Sequence, residues 1–241
     1  MLEKTKAIFL KQTKFSDSQV IAEIYTEKFG KQAFIIRHSK KNKSLPQKNI
    51  LQALFLLEMQ VYYKQKRNVQ KVKEINHKPI LTDLPFNFSK SSIAIFIAEI
   101  LHKVIKEEEA NIDLFNYLYS SIQLLDSLEH RIANFHIIFL YELSKYLGFY
   151  PENNYSKNKL FFNLFEGKFY DIKTDNNVFL DEETSKIISF LHSKGFSSIN
   201  NFSFSKKQKS SILNAILKYY HFQLPEMGKI KSLEILQEVF S

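Results

Sequence analysis

Residues 1–80 read as short strands, the form in which a period of two puts every second side chain on one face. The clearest case is residues 54–63, where Phe55, Leu57, Met59, Val61 and Tyr63 share a face. Residues 5–12 form an apolar run with lysines at both ends. Residues 18–25 are rich in β-formers (Val20, Ile21, Ile24, Tyr25), and residues 31–37 and 68–75 complete the set. The segment from Thr26 to Gly30 reads as a turn, with Gly30 free to take a positive φ. Five short strands separated by turn signals predict a small barrel rather than a βαβ unit. The five-stranded Greek-key barrel that binds oligonucleotides, the OB-fold, is the expected form.

Pro79 and Pro85 frame a boundary, and beyond it the period changes to 3.6. A helix is expected to open at Ser89 and run to about residue 108, with Ile93, Phe96, Ile97, Ile100, Leu101 and Val104 on one side. Asn111 can cap a second helix, to about residue 125, and a third covers about 130–147. Gly148 stands where a glycine ends a helix, and Pro151 prevents continuation. Residues 152–180 are polar and irregular with interspersed Phe, with a short hairpin expected around Glu166 and Gly167. Helical pattern returns at 182–193, 206–220 and 232–240. The predicted fold class is therefore α+β. An OB-fold barrel (1–80) precedes an all-helical domain (81–241) with a small irregular insertion at about 150–180.

Charge adds a second division. Of 34 Lys and Arg and 25 Asp and Glu, residues 1–80 hold 17 and 6, a net of +11. The remainder holds 17 and 19, a net of −2. A strongly basic module joined to a nearly neutral one points to a polyanion on the first. Cysteine is absent, which excludes disulfides, a thiolate zinc site and a cysteine nucleophile. No apolar run approaches the ~18 residues of a membrane span, and nothing reads as a signal peptide, so a cytoplasmic protein is expected.

Catalytic signatures are missing: no P-loop, dinucleotide or nucleophile-elbow motif occurs. Glu99 and His102 match the E-x-x-H spacing of di-iron bundles, but the helical segments hold no second copy, and they read as a polar helix edge. The seven His lack metal-ligand spacing. No catalytic residue, metal or cofactor is assigned.

The stronger constellation is basic. OB-folds bind through the face of strands two and three and the loops joining strands one–two and four–five. Here the first loop is expected at 13–17, carrying Lys14 and Phe15, and the second at 64–67, carrying Lys64, Lys66 and Arg67. Between strands three and four lie Arg37, Lys40, Lys41 and Lys43. Lys11 and Lys31 complete the candidate nucleic-acid contacts. Lysines neutralise phosphates while an aromatic ring stacks on a base. Phe15, Phe34 and Tyr62 are each either barrel core or such a platform.

With these segments laid out, the chain resembles the bacterial RecO family of recombination mediators. Lys6-Ala-Ile-Phe-Leu-Lys11, Asp17-Ser-Gln-Val-Ile21 and Tyr25-Thr-Glu-Lys-Phe-Gly-Lys31 look like its opening strands, and Leu51-Gln-Ala-Leu-Phe-Leu-Leu-Glu58 like its fourth. Phe139-Leu-Tyr-Glu-Leu-Ser-Lys-Tyr-Leu-Gly-Phe-Tyr-Pro151 is similar to its most recognisable helix end. Ile216-Leu-Lys-Tyr-Tyr220 and Ile230-Lys-Ser-Leu-Glu-Ile-Leu236 match its closing helices. The resemblance implies binding of single- and double-stranded DNA and annealing of complementary strands. It also implies partnership with RecR, with RecF where present, and with the acidic C-terminal tail of single-strand-binding protein, to load RecA. It places such a protein in the cytoplasm, at the nucleoid. Many members hold zinc through four cysteines in the insertion. Residues 152–180 have none, so no zinc is expected, and Phe161, Phe162, Phe165 and Phe169 become the anchors of that segment. Arg131, the only Arg outside the barrel, is the candidate partner contact.

Two other classes remain open. A metal-dependent nucleic-acid-processing enzyme needs clustered carboxylates, and the six acidic residues of 1–80 form no evident cluster. A basic scaffold that touches only acidic membrane or protein predicts no strand annealing.

Overall fold

The alternation of residues 54–63 folds as β4 (Leu56–Tyr62), with Leu57, Met59 and Val61 fully buried and Glu58 and Gln60 turned outward. The computed structural model describes residues 1–37, 51–106, 109–175, 177–196, 199 and 203–240. β1 (Leu2–Ser16), β2 (Gln19–Thr26), β3 (Gly30–Arg37), β4 and β5 (Val69–His77) close a barrel in the order β1-β2-β3-β5-β4. Neighbours are antiparallel except β3 and β5, which run parallel where Ala33, Phe34 and Ile35 face Val69, Gln70 and Lys71. This is the five-stranded OB arrangement that the pattern predicts. Ala7, Ile8, Ala22, Ile24 and Phe34 fill the interior with the β4 side chains. Gly30 has φ 62, the left-handed conformation the β2–β3 turn requires.

β1 continues past the expected end of its strand. It pairs with β2 as far as Ser16 and Gln19, leaving only Asp17 and Ser18 as the turn. Bulges at Leu10 and Phe15 each add one residue to β1. All side chains from Lys11 to Ser16 are exposed, so this stretch has no apolar face to show a strand period.

α1 (Phe88–Val104) starts one residue upstream of the expected serine cluster. Asn87 is its cap, accepting from the N–H groups of Ser89 and Lys90. α2 (Ile112–Ser127) follows, with the Asn111 Oδ1 accepting from Leu114 N–H at 3.0 Å, as the sequence predicts. The later helices are α3 (Ile132–Tyr146), α4 (Glu182–Lys194), α5 (Lys206–Gln223) and α6 (Ser232–Val239). Gly148, at φ 84, closes α3 with its N–H on Lys145 O.

Packing divides the chain into two compact units. One comprises Met1–Ser127 with Ile230–Leu236, and the other Leu128–Lys229 with Gln237–Ser241. In the first, the Asp126 carboxylate accepts from the backbone N–H groups of Thr82, Asp83 and Leu84 at 2.7–3.0 Å, which fastens the residues after the barrel to the end of α2. Lys90, 2% exposed, places its ammonium 2.6 Å from Asp126 O and 2.7 Å from Asp83 Oδ2, so its buried charge is satisfied.

In the second unit, the Tyr220 hydroxyl donates to Leu140 O and ties α5 to α3, while Tyr219 donates to Phe149 O. The expected hairpin forms as β6 (Phe161–Asn163) and β7 (Lys168–Tyr170), turning at Gly167 with φ 69. Phe162 and Phe169 are buried anchors. Phe165 is not: it is 64% exposed on the turn, where the Asn163 side chain accepts from Phe165 and Glu166 N–H, and Leu164 is buried instead. Phe161 is half-buried.

Candidate nucleic-acid interface

Register defines a continuous outer strip on the barrel. Opposed residues share a face, so Thr13, Ile21, Ile35 and Lys71 form one row across β1, β2, β3 and β5. Lys11, Glu23, Ala33 and Val69 form the next. Ile21, Ile35, Ala33 and Val69 are only half-buried, while Phe34 and Ile36 on the opposite face are fully buried. The strip is thus a solvent-reached apolar floor edged by Lys11, Lys71 and, at the end of β3, the exposed Arg37.

Its two ends are cationic. At one, the β1–β2 hairpin carries Lys14 and Phe15. Lys14 pairs with Asp17 at 2.9 Å, and Phe15 is the extra residue of a bulge and 60% exposed. The other is the loop from β4 to β5, which leads into the part of β5 paired with the middle of β3 and displays Lys64, Lys66 and Arg67 to solvent. Of the proposed platforms, Phe15 and Tyr62 (45% exposed) offer open rings, whereas Phe34, at 0%, is core. Lys40, Lys41 and Lys43 lie outside the described residues.

Two candidate lysines are turned toward α1. Lys31 Nζ donates to His102 O at 3.0 Å, which satisfies a carbonyl of the last helical turn. Lys11 Nζ lies 3.5 Å from His102 Nε2. On the other side of the ring, Nδ1 is 2.7 Å from Glu23 Oε2, an ion-pair distance off the line of a well-aligned hydrogen bond. Burial lowers the His102 pKa, opposed by Glu23 and aided by Lys11 and Lys31. A neutral ring suits an acceptor nitrogen facing an ammonium. Lys11 therefore stands on the border between the open strip and the helix.

Arg131 lies in the second unit, as the residue before α3, in a left-handed conformation with φ 55 and an exposed side chain. Among the described residues, no three His, Asp or Glu side chains gather as metal ligands, and no helix is long and apolar enough to cross a membrane.

Sequence reasoning missed the half-buried strip and Lys71. Their signal was present as the alternating Lys71 and Lys73 of the fifth strand, but strand order is needed to bring Ile21, Ile35 and Val69 together.

Comparisons with known proteins agree across the whole chain. The family described as Recombination protein O N terminal matches residues 1–78, and Recombination protein O C terminal matches residues 85–234. The chain is 37% identical over 241 residues to a DNA repair protein RecO of Azobacteroides pseudotrichonymphae, covering all of both chains. It is 32% identical, again over all of both, to that of Phocaeicola vulgatus. To that of Flavobacterium psychrophilum it is 33% identical over 239 residues, 99% of each chain.

Proposed function

The chain belongs to the RecO family of DNA repair proteins, and from that premise we propose that it is a non-enzymatic recombination mediator. It binds single- and double-stranded DNA, anneals complementary strands, and with RecR helps load RecA onto DNA coated with single-strand-binding protein. Residues 1–80 serve as the nucleic-acid module. Residues 81–241 engage the partners, namely RecR, RecF where present, and the acidic tail of single-strand-binding protein, with Arg131 as a candidate contact.

The observation that carries this reading is the half-exposed apolar strip between two cationic ends. Phosphates of a strand laid across it meet Lys14 and Arg37 toward one end and Lys64, Lys66 and Arg67 toward the other. Each neutralised phosphate releases counterions. Two strands so neutralised repel each other less, and complementary bases can meet. The Ile21, Ile35 and Val69 floor offers bases an apolar surface without hydrogen-bond readout, which suits binding indifferent to sequence.

The test is annealing of complementary strands coated with the cognate single-strand-binding protein, titrated with this protein across a salt series. Acceleration that fades with salt is expected. No acceleration at low salt overturns the reading, and metal-dependent cleavage by the pure protein would replace it with a processing enzyme.

A further inference from the structure

The cationic loop between β4 and β5 is held by one buried side chain. Gln70, on β5 and 1% exposed, directs its amide into the loop rather than across the sheet. Its Oε1 accepts from Lys64 N–H at 3.0 Å. Its Nε2 donates to Lys64 O and to Arg67 O, both at 2.9 Å. Both amide hydrogens are thereby used, and only this orientation of the amide satisfies all three loop groups. Arg67 N–H also donates to Lys64 O at 3.0 Å, closing a turn on the same carbonyl. The start of the loop is fixed separately. Tyr63 exchanges backbone hydrogen bonds with Met1, and its ring stacks on Phe29 at 3.9 Å.

The loop thus combines an ordered backbone with exposed cationic side chains at Lys64, Lys66 and Arg67. A loop ordered before binding does not lose that freedom when a strand arrives. We propose that Gln70 is a positioning residue for nucleic-acid binding: it touches no phosphate itself and presents Lys64, Lys66 and Arg67 as a fixed cluster to a phosphodiester backbone. The proposal rests on the barrel reading given above and names the residue that sets the geometry of one of its two ends.

A buried glutamine can also be merely structural, and a double-mutant cycle on the full-length protein separates the two roles. Affinity for an oligo-dT strand is measured at low salt for the parent, for Gln70→Met, for Lys64→Ser/Lys66→Ser/Arg67→Ser, and for the combination. Gln70→Met is expected to weaken binding roughly tenfold in the parent, the scale of restored loop disorder, and to have no further effect once the loop is neutral. An equal loss in both backgrounds, or none in the parent, overturns the proposal. Should Gln70→Met fail to fold, Gln70→Ala takes its place, since it removes all three loop contacts without adding bulk or charge. A neutral-loop variant that binds as tightly as the parent also overturns the proposal. Continued annealing by that same variant would leave the mediator reading standing on the strip and the hairpin.

Discussion

Glu99, on the outer side of α1, accepts from both the N–H and the hydroxyl of Ser232 at the start of α6, at 2.8 and 2.6 Å. A second carboxylate oxygen accepts from Lys231 N–H at 2.9 Å. The side chain of one helix thus caps another that lies 133 residues further along the chain. Burial works against the charge, but these hydrogen bonds and Lys103 hold the Glu99 carboxyl below the usual carboxylate range. Glu99→Ala is expected to lower unfolding free energy by about 1–2 kcal/mol, as for a lost helix cap. Urea titration at neutral pH reads this directly, and an unchanged midpoint would refute it.

Phe15 gives a prediction about strand type. An exposed ring at a hairpin tip can stack on an unpaired base but finds paired bases already stacked. Phe15→Ala should weaken single-strand binding by about 1–3 kcal/mol, the usual worth of one base–aromatic contact, with little effect on duplex. Fluorescence anisotropy with both DNA forms at one salt concentration checks it. Equal losses on the two would remove the ring from this role.

The loop cations predict a salt effect. With Lys64, Lys66 and Arg67 replaced by serine, the slope of log affinity against log salt on single strands should shrink by roughly 2, at about 0.7 per phosphate contact. A loss of affinity with an unchanged slope would mean that the loop acts other than by charge.

Acid stability should depend on His136, which lies buried among the apolar side chains of α3. Burial, helped by Lys209, pushes its pKa from 6.5 down to about 3. The folded state keeps the ring neutral while the unfolded chain protonates it near pH 6.5. The stabilisation is therefore complete above that pH and drains away as pH falls toward 3, at up to about 1.4 kcal/mol per pH unit. His102 and His192 are also lowered by burial and act in the same direction. Denaturant unfolding of His136→Phe between pH 7 and 4 should show a slope smaller by about one proton than that of the parent.

Asp126 offers a test of the segment between barrel and helices. Asp126→Ala leaves three backbone N–H groups, of Thr82, Asp83 and Leu84, without their acceptor. A cost of about 1–3 kcal/mol is expected, together with faster amide exchange at those three positions. Exchange that stays slow would show that the segment is held by other contacts.

Much of this architecture is legible in the sequence because burial leaves a period. Val61, Met59 and Leu57 announce β4, and Asn111 and Gly148 mark helix ends by their own local chemistry. What escapes has no local signature. The polar stretch from Thr13 to Ser16 reads as loop because both of its faces meet solvent, and only pairing with β2 makes it strand. Glu99 and His102 read as a polar edge because their partners, Ser232 and Glu23, are remote in sequence. Gln70 looks like any polar residue of an alternating strand until its amide is seen to face the loop. Candidate cations are easy to count, but Lys31 and Lys11 are partly engaged by α1, which composition cannot reveal.

The return of Ile230–Leu236 to the unit built by Met1–Ser127 has a consequence for biosynthesis. A nascent chain leaving the ribosome presents the barrel early, but the segment that Glu99 caps emerges only after the hundred or so residues between the two parts. The barrel-bearing unit therefore waits, one helix short, while the intervening unit already has nearly all of its sequence to hand. Translation order and folding order are interleaved in this chain, and the unit begun first is completed only after most of the second has emerged.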